Sequence, residues 1–300
     1  MGKLKLRVPA SSGNLGPGFD CLGLALDIYN TVVVERSDRL TISVSGEGKD
    51  ALSLREDNRV YQSIAAVYES LEQRVPPLDI VCHNEIPLRR GLGSSAAATA
   101  AGLVAANLLC GEPLSAGGLL KLGAELEGHP DNIAAALLGG CQVAVVEGDR
   151  VLTARVRLPR RLRVALFIPD FELPTAEARA ILPQQVGRAD VVFNLGRVAL
   201  LLSALAQGRL DYLKVATQDR VHQPARQALF PAMGTIMEAA LEAGAVGAFL
   251  SGAGSTIVAL TEGRAKAVAR AMAEAAARAG VGGRTREARP SALGVHQVPD

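Results

Sequence analysis

The hydrophobic and polar positions of the chain follow two periods, one typical of strands and one typical of helices. Lys3–Pro9 alternates apolar residues with Lys and Arg, which predicts an edge strand. Val60–Gln73 repeats Val60, Ile64, Val67 and Leu71 at helical spacing, which predicts an α-helix. Further strands are predicted at Thr31–Arg36 and Leu40–Ser45 (as a hairpin), Leu78–Cys82, Gln142–Val146, Leu162–Ile168, Val246–Leu250, Thr256–Leu260 and Leu293–Val298. Further helices are predicted over Leu119–Glu127, Ala176–Ile181, Asp190–Ala206, Leu210–Ala216, Ala232–Ala243 and Arg264–Ala279.

The pattern changes near Pro159, where a polar turn precedes a new strand. We place a domain boundary there, with one domain over 1–160 and a second over 161–300. Between the first strand and Asp20 the chain is rich in Gly, Pro and Ser, which predicts an irregular loop carrying Asn14 and Asp20.

A glycine-rich loop opens directly into an alanine-rich helix. Glycine allows the backbone to approach a ligand closely, and the free N–H groups of a helix N-terminus favour an anion such as phosphate. The segment lacks the Gly-Lys-Ser/Thr ending of a Walker A loop. A plain turn before a buried helix is the alternative. The loop consists of Pro87, Leu88, Arg89, Arg90, Gly91, Leu92, Gly93, Ser94, Ser95, Ala96 and Ala97.

Composition excludes several classes of protein. Lys plus Arg number 32 against 30 for Asp plus Glu, and aromatic residues make up 3% with no Trp, so we expect no nucleic-acid surface. Gly91–Gly111 carries no charge and has membrane-spanning length, but its Ala, Gly and Ser content favours a buried helix over a membrane segment. The 4 cysteines form no C-x-x-C pair, which suits a reducing cytoplasm and argues against a zinc site.

Two glutamates near residue 126 differ in their predicted environment. On a wheel of about 100° per residue, Glu127 joins the apolar face of its helix, whereas Glu125 lies one turn from Lys121 as a solvated ion pair. A carboxylate turned toward a core needs compensation, and Mg²⁺ is a natural candidate beside phosphate. We therefore prefer Glu127, with an ordinary hydrogen bond as the alternative.

The turn that follows packs His129, Asp131 and Asn132 into a few residues. Those side chains could position a hydroxyl and an amine, although Asp131 or Asn132 alone would be explained as a helix cap.

Together these segments resemble a known family. Pro9–Asp20, with its Asn-Leu-Gly-Pro-Gly-Phe-Asp run, Pro87–Ala97 and Glu127–Asn132 look like the corresponding motifs of homoserine kinases in the GHMP kinase superfamily, and Ser251–Ser255 resembles the superfamily's third glycine-rich motif. The resemblance implies an α+β two-domain fold, with an N-terminal domain like domain 2 of ribosomal protein S5 and a ferredoxin-like C-terminal domain. It also implies phosphorylation of the L-homoserine hydroxyl with ATP and Mg²⁺ in threonine biosynthesis, by a cytoplasmic homodimer with no nucleic-acid or membrane partner.

The resemblance further implies roles for particular residues. Pro87–Ala97 would hold the ATP phosphates, Asn58 would lie near adenine, and Ser95 and Glu127 would hold Mg²⁺. Asn132 would lie beside the reacting hydroxyl and Thr175 near the γ-phosphate. Homoserine's charged groups would meet Asn14, Asp20, His129, Asp131, Arg179 and Arg226.

Other readings stay open at this point. Another GHMP kinase acting on mevalonate, shikimate or a sugar, and a non-catalytic nucleotide-binding domain, share the same fold. Asp131 is either a base or only a substrate ligand, and Arg89 and Arg90 have no assigned role.

Overall fold

The strands assemble into two sheets in a computed structural model that describes residues 3–299. The first sheet has seven strands in the order β11-β1-β2-β4-β3, with β5 joined to β2 and β6 joined to β5. Its strands are β1 (Leu4–Gly13), β2 (Leu22–Arg36), β3 (Thr41–Gly46), β4 (Leu78–Asn84), β5 (Cys141–Glu147), β6 (Arg150–Val156) and β11 (His296–Gln297).

The second sheet has four antiparallel strands in the order β10-β7-β9-β8. The strands are β7 (Leu162–Pro169), β8 (Gly247–Leu250), β9 (Ile257–Glu262) and β10 (Gly283–Ala288). With two helical crossovers between them, this is the order of a ferredoxin-like domain, so the predicted α+β two-domain fold is confirmed.

The helices pack on these sheets and on each other. They are α1 (Arg59–Ser70), α2 (Ser94–Leu109), α3 (Ala116–Glu127), α4 (Asp131–Leu138), α5 (Thr175–Ala180), α6 (Arg188–Gln207), α7 (Leu213–Ala216), α8 (Gln223–Arg226), α9 (Met233–Glu242) and α10 (Ala265–Arg278). α2 is buried along most of its length, as predicted for the uncharged run Gly91–Gly111. Its many alanines allow α1, α4 and β1 to pack closely around it.

Strand partners differ from the prediction in one important place. Thr41–Gly46 does not form a hairpin with the preceding strand, because β4 lies between them and pairs with β3 in parallel. A parallel pair needs a crossover connection, and α1 supplies it. The predicted hairpin was therefore wrong.

Several observed element boundaries also differ from the predicted ones. Ala10–Gly13 continues β1 instead of joining the loop, since Ser11 and Ser12 are fully buried against β2. β6 and β10 were missed because most of their side chains are exposed. The last predicted strand shrinks to His296–Gln297, which pairs with the middle of β1, so Lys3–Pro9 is not a free edge along its whole length.

The boundary between residues 160 and 161 stays a prediction. β6 ends at Val156 and β7 begins the second sheet at Leu162. The C-terminal segment nevertheless returns to the first sheet through β11.

Helix α6 is the one described helix that is long and apolar enough to cross a membrane by composition, with a mean hydropathy of 1.6. It carries Arg197 in its middle, where the guanidinium stacks on Phe193. Length and hydropathy alone are weak evidence of a membrane span, because core and interface helices share them.

Candidate active site

A polar cavity of about 130 Å³ lies where both domains meet at the N-terminal end of α2. Most of the residues predicted for the site line it, although their sequence positions span more than two hundred residues. They are Asn14, Asp20, Arg89, Gly91, Gly93, Ser94, Ser95, Ala96, Glu127, His129, Asp131, Asn132, Thr175, Arg179 and Arg226, joined by Gly252 and Ala253.

A second cavity of about 340 Å³ adjoins it across Arg89, Ser94 and Ser95, and is more apolar in character. Asn58 and Leu88 lie in its wall. The Asn58 side chain accepts a hydrogen bond from Val60 N–H at 2.9 Å, so this residue is also the N-cap of α1.

Four residues of the glycine-rich loop line neither cavity. Pro87, Leu92 and Ala97 are buried in the core. The Arg90 guanidinium donates to the carbonyl oxygens of Pro169 at 2.8 Å and Asp170 at 2.7 Å. Arg90 therefore ties the loop to the second domain, which supplies a role that the sequence left open.

The start of α2 exposes backbone donors to the cavity. Gly93 caps the helix with φ 68° and offers no side-chain hydrogen bond, so the first N–H groups of α2 have no capping partner. A Cβ at Gly93 would lie 2.1 Å from Ser11 Oγ, and one at Gly13 would lie 2.3 Å from Asp131 Oδ2. Glycine at both positions thus keeps the backbone close to the polar turn.

Glu127 is held by three residues whose donors converge on one oxygen. Its Oε1 accepts from Arg59 Nη2 at 2.7 Å, Thr99 Oγ1 at 2.7 Å and Ser95 Oγ at 2.9 Å. Oε2 accepts no protein hydrogen bond among the described residues, and the residue lines the cavity. Glu125, in contrast, lies 4.0 Å from Lys121 on the exposed face of α3.

The polar turn before α4 forms a connected network. His129 Nδ1 donates to Asp131 Oδ1 at 2.6 Å, and Asn132 Oδ1 accepts from Ser11 Oγ at 3.0 Å. Burial lowers the pKa of His129, but the hydrogen bond and charge of Asp131 outweigh it, so the pKa is raised overall. Asp131 is only 1% exposed and is the first residue of α4.

The loop after β1 carries an acid that pairs with an arginine of the second domain. Arg179 donates to both carboxylate oxygens of Asp20, at 2.6 and 2.9 Å, which raises the pKa of Arg179. Asn14 orders this loop, because its Oδ1 accepts from Asp20 N–H and its Nδ2 donates to Gly252 O.

Arg226 is a buried cation without a carboxylate partner among residues 3–299. It is 1% exposed, and it donates to Gly252 O at 2.8 Å, to Ala178 O at 3.2 Å and to His222 Nδ1 at 2.9 Å. Burial and the nearby Arg179 lower its pKa to about 10. Its Nη2 makes no hydrogen bond within the described part of the chain, and Arg226 lines the cavity.

Sequence reasoning missed several residues of this region. Arg59 and Thr99 contact Glu127, and His222 contacts Arg226, but none lies in a recognisable motif. Arg59 and Thr99 lie 68 and 28 residues from Glu127, so no local spacing could have indicated them. His222 lies only four residues before Arg226, but nothing in the sequence indicated that Arg226 is buried.

Family comparisons agree with the architecture. The N-terminal domain model of GHMP kinases matches residues 58–140, and the C-terminal model of GHMP kinases matches residues 201–278.

Curated proteins and a solved structure extend the similarity over nearly the whole chain. A homoserine kinase of Synechocystis is 46% identical over 272 residues, which cover 89% of each chain. A homoserine kinase of Caldicellulosiruptor bescii is 46% identical, covering 86% of this chain and 84% of its own length. The crystal structure of homoserine kinase from Cytophaga hutchinsonii superposes with a TM-score of 0.89 at 30% identity, covering 99% of this chain and 98% of that one.

Proposed function

The chain belongs to the homoserine kinases of the GHMP kinase family, and from that premise we propose how its cavity acts. The enzyme transfers the γ-phosphoryl group of ATP to the side-chain hydroxyl of L-homoserine, which yields O-phospho-L-homoserine and ADP. This reaction is a step of threonine biosynthesis.

One observation supports an amino-acid acceptor above all. Arg226 is a buried cation with no carboxylate partner in the described chain, and it faces a cavity that also contains Asp20 and Asp131. An unpaired buried charge is costly, and a ligand carboxylate would relieve that cost. The acids match the ammonium group of the same zwitterion. A neutral sugar would supply neither charge, and shikimate would supply a carboxylate for Arg226 but no ammonium group for the acids.

The nucleotide fits the two adjoining cavities. We propose that the free N–H groups at the start of α2 hold the phosphates and that Asn58 lies beside the adenine in the neighbouring cavity. A Cβ at Gly93 would clash with Ser11 and one at Gly13 with Asp131, so glycine at both positions lets the start of α2 pack beside the polar turn.

Mg²⁺ fits the donor set at Glu127 and Ser95. The hard oxygens of a carboxylate and a hydroxyl are ligands that Mg²⁺ accepts, and Oε2 of Glu127 makes no hydrogen bond to residues 3–299. When bound, the ion would neutralise charge on the phosphate oxygens.

The polar turn positions the acceptor. Asn132, fixed by Ser11, would orient the hydroxyl, and Asp131, fixed by His129, would hold the ammonium group. Thr175, at the start of α5, lines the same cavity from the other domain and would face the γ-phosphate. As the hydroxyl oxygen bonds to the γ-phosphorus, the bond from that phosphorus to the β–γ bridging oxygen breaks, ADP leaves with the electron pair, and the hydroxyl proton passes to solvent. Positioning carries most of the rate in such a loose transition state, so a strong base is not required.

We further infer a homodimer in a reducing cytoplasm. All 4 cysteines are free thiols, which supports that compartment. The helix α6 leaves Val191, Val192 and Leu195 exposed by 41%, 63% and 65%, and a contiguous apolar face of this kind supports contact with a second copy.

A substrate comparison tests the proposed reaction. ATP consumption is measured with homoserine, mevalonate, shikimate and galactose at equal concentrations. We expect turnover with homoserine alone and formation of its phosphate ester by mass spectrometry. Turnover with another acceptor would assign a different GHMP kinase activity, and no turnover with any of the four would indicate a nucleotide-binding protein without catalysis.

A further inference from the structure

His222 links the loop after β1 to the buried arginine of the second domain. Its Nε2 lies 2.7 Å from Gly16 O, and its Nδ1 lies 2.9 Å from Arg226 Nη1. The imidazole is fully buried, and it packs against the Phe19 ring with centroids 5.3 Å apart. Arg226 and Arg179 both lie over that same ring, at 5.6 and 5.5 Å from its centroid.

These contacts fix the tautomer of the imidazole. A guanidinium can only donate, so Nδ1 of His222 must accept from Arg226 and carries no proton. A backbone carbonyl can only accept, so Nε2 carries the proton and donates to Gly16 O. The neutral ring therefore satisfies a donor on one domain and an acceptor on the other at the same time.

The turn around His222 is itself rigid. The side chain of Asp219 is fully buried, and its oxygens accept from the backbone N–H groups of Val221, His222 and Gln223. Asn194 of α6 donates to the same carboxylate at 2.7 Å. These hydrogen bonds restrain the backbone of His222, and the restrained backbone fixes the position of the imidazole ring.

We propose that His222 is a positioning residue that couples the carboxylate-binding Arg226 to the ammonium-binding loop Asn14–Asp20. Through Arg226 it aims the free Nη2 into the cavity, and through Gly16 it sets the loop that carries Phe19 and Asp20. The inference rests on the proposed acceptor, because it assumes that Arg226 meets a substrate carboxylate. It adds a residue that does not itself touch the substrate.

The charges around the imidazole keep it neutral. Burial lowers the pKa of His222 most strongly, and Arg226 lowers it further, whereas Asp219, the Gly16 carbonyl and Asp20 oppose the shift, so the pKa lies below its ordinary 6.5. Protonation of Nδ1 would remove the acceptor for Arg226 and place two cations in contact. Substrate affinity should therefore fall as pH decreases through this lowered pKa.

Two substitutions separate the contact of His222 with Arg226 from its contact with Gly16 O. In His222→Asn the amide oxygen can take the place of Nδ1 and still accept from Arg226. In His222→Gln the amide nitrogen can take the place of Nε2 and still donate to Gly16 O, but the acceptor for Arg226 is lost. Melting temperatures and circular dichroism show first that each variant is folded.

The readout is the affinity for two ligands that differ by a carboxylate. L-homoserine and 3-aminopropan-1-ol are compared by KM, or by Ki as competitive inhibitors. We expect His222→Gln to raise the homoserine constant roughly tenfold or more, since a hydrogen bond to a charged group is lost. The constant for 3-aminopropan-1-ol, the KM for ATP and kcat should change by less than about threefold.

A second variant, a double variant and a pH profile test the same coupling. His222→Asn should keep the preference for L-homoserine over 3-aminopropan-1-ol, while the constants of both ligands rise because the donor to Gly16 O is lost. His222→Gln combined with Arg226→Met should lose no more carboxylate preference than Arg226→Met alone. The acid limb of the homoserine KM should flatten in His222→Asn but persist in His83→Asn, a control at an exposed histidine.

Two results would overturn the coupling. One is an equal loss for both ligands in His222→Gln, which would indicate a general packing role. The other is unchanged homoserine affinity in that variant. Absence of homoserine turnover by the unmodified enzyme would instead contradict the proposed function, so the two failures are distinguishable.

Discussion

Helical periodicity separated two glutamates that are only two positions apart. The wheel placed Glu127 on the apolar face of α3 and Glu125 in solvent, and their side chains are 6% and 58% exposed. The same reasoning could not find Arg59, which neutralises Glu127 from 68 residues away. Contacts of this kind depend on how α1, α2 and α3 pack, and no local spacing encodes them.

Replacement of each glutamate by glutamine tests the metal site. We expect Glu127→Gln to raise the Mg²⁺ concentration needed for half-maximal activity and to weaken stabilisation of the ATP complex by Mg²⁺ in thermal melts. The cause is the loss of an anionic oxygen ligand for a hard cation. Glu125→Gln, which removes only an exposed i,i+4 pair with Lys121, is the matched control and should leave both quantities unchanged. A shifted Mg²⁺ requirement in Glu125→Gln alone would reverse the assignment.

Asp131 distinguishes substrate binding from base catalysis. In Asp131→Asn we expect the homoserine KM to rise about 10- to 100-fold, because a charge-assisted hydrogen bond to the ammonium group is lost. We expect kcat to fall less than KM rises, since phosphoryl transfer depends mainly on positioning. Steady-state kinetics with each substrate varied give both values. A fall in kcat of several orders with unchanged KM would identify Asp131 as the base.

At the scale of elements, the sequence indicated most strands and helices but not all of their neighbours. The sequence predicted a strand over Leu40–Ser45, close to the observed β3, yet its pattern holds no information about the strand's partner, which proved to be β4. Strands that follow one another in the chain usually pair. This expectation failed here because the crossover through α1 places β4 between β2 and β3. Strands with mainly exposed side chains, such as β6, were not predicted because they have no apolar face.

The junction between the glycine-rich loop and α2 depends on Gly93. Gly93→Ala combines a left-handed φ of 68° with a Cβ that would lie 2.1 Å from Ser11 Oγ. We expect a loss of about 1–3 kcal/mol in the free energy of unfolding from the backbone strain, and a higher KM for ATP as the loop shifts. Urea denaturation and steady-state kinetics measure the two effects.

Two other glycines serve as controls for that variant. Gly111→Ala has φ 81° but nothing within 4 Å of its added Cβ, so it isolates the cost of the left-handed backbone. Gly196→Ala lies within α6 in open space and should stabilise the helix by about 0.5–1 kcal/mol. If Gly93→Ala lost no more stability than Gly111→Ala and kept its KM for ATP, close packing at the loop would not matter.

For the molecule as a whole, the cavity exists only when both domains are in place. Asp131, Asp20 and the start of α2 belong to the first half of the chain, whereas Thr175, Arg179 and Arg226 come from the second. Sequence patterns gave no reason to choose Arg179 or Arg226 among many arginines, and only the family resemblance singled them out. Only the assembled fold shows that Arg226 is buried and that it has no carboxylate partner among the described residues.

The exposed face of α6 leads to a prediction about assembly. We expect the chain, with a mass of 31.2 kDa, to sediment as a dimer in analytical ultracentrifugation. Val192→Asp combined with Leu195→Asp should shift it to the monomer, because two charges would be buried without partners at the contact. Val146→Asp combined with Leu152→Asp places the same charges on exposed apolar positions of β5 and β6, 57% and 50% exposed, and should leave the dimer intact. A monomeric unmodified chain, or an α6 variant that stays dimeric, would exclude this face as the contact. Since the cavity lies between the domains of one chain, homoserine turnover per chain should persist in the monomer.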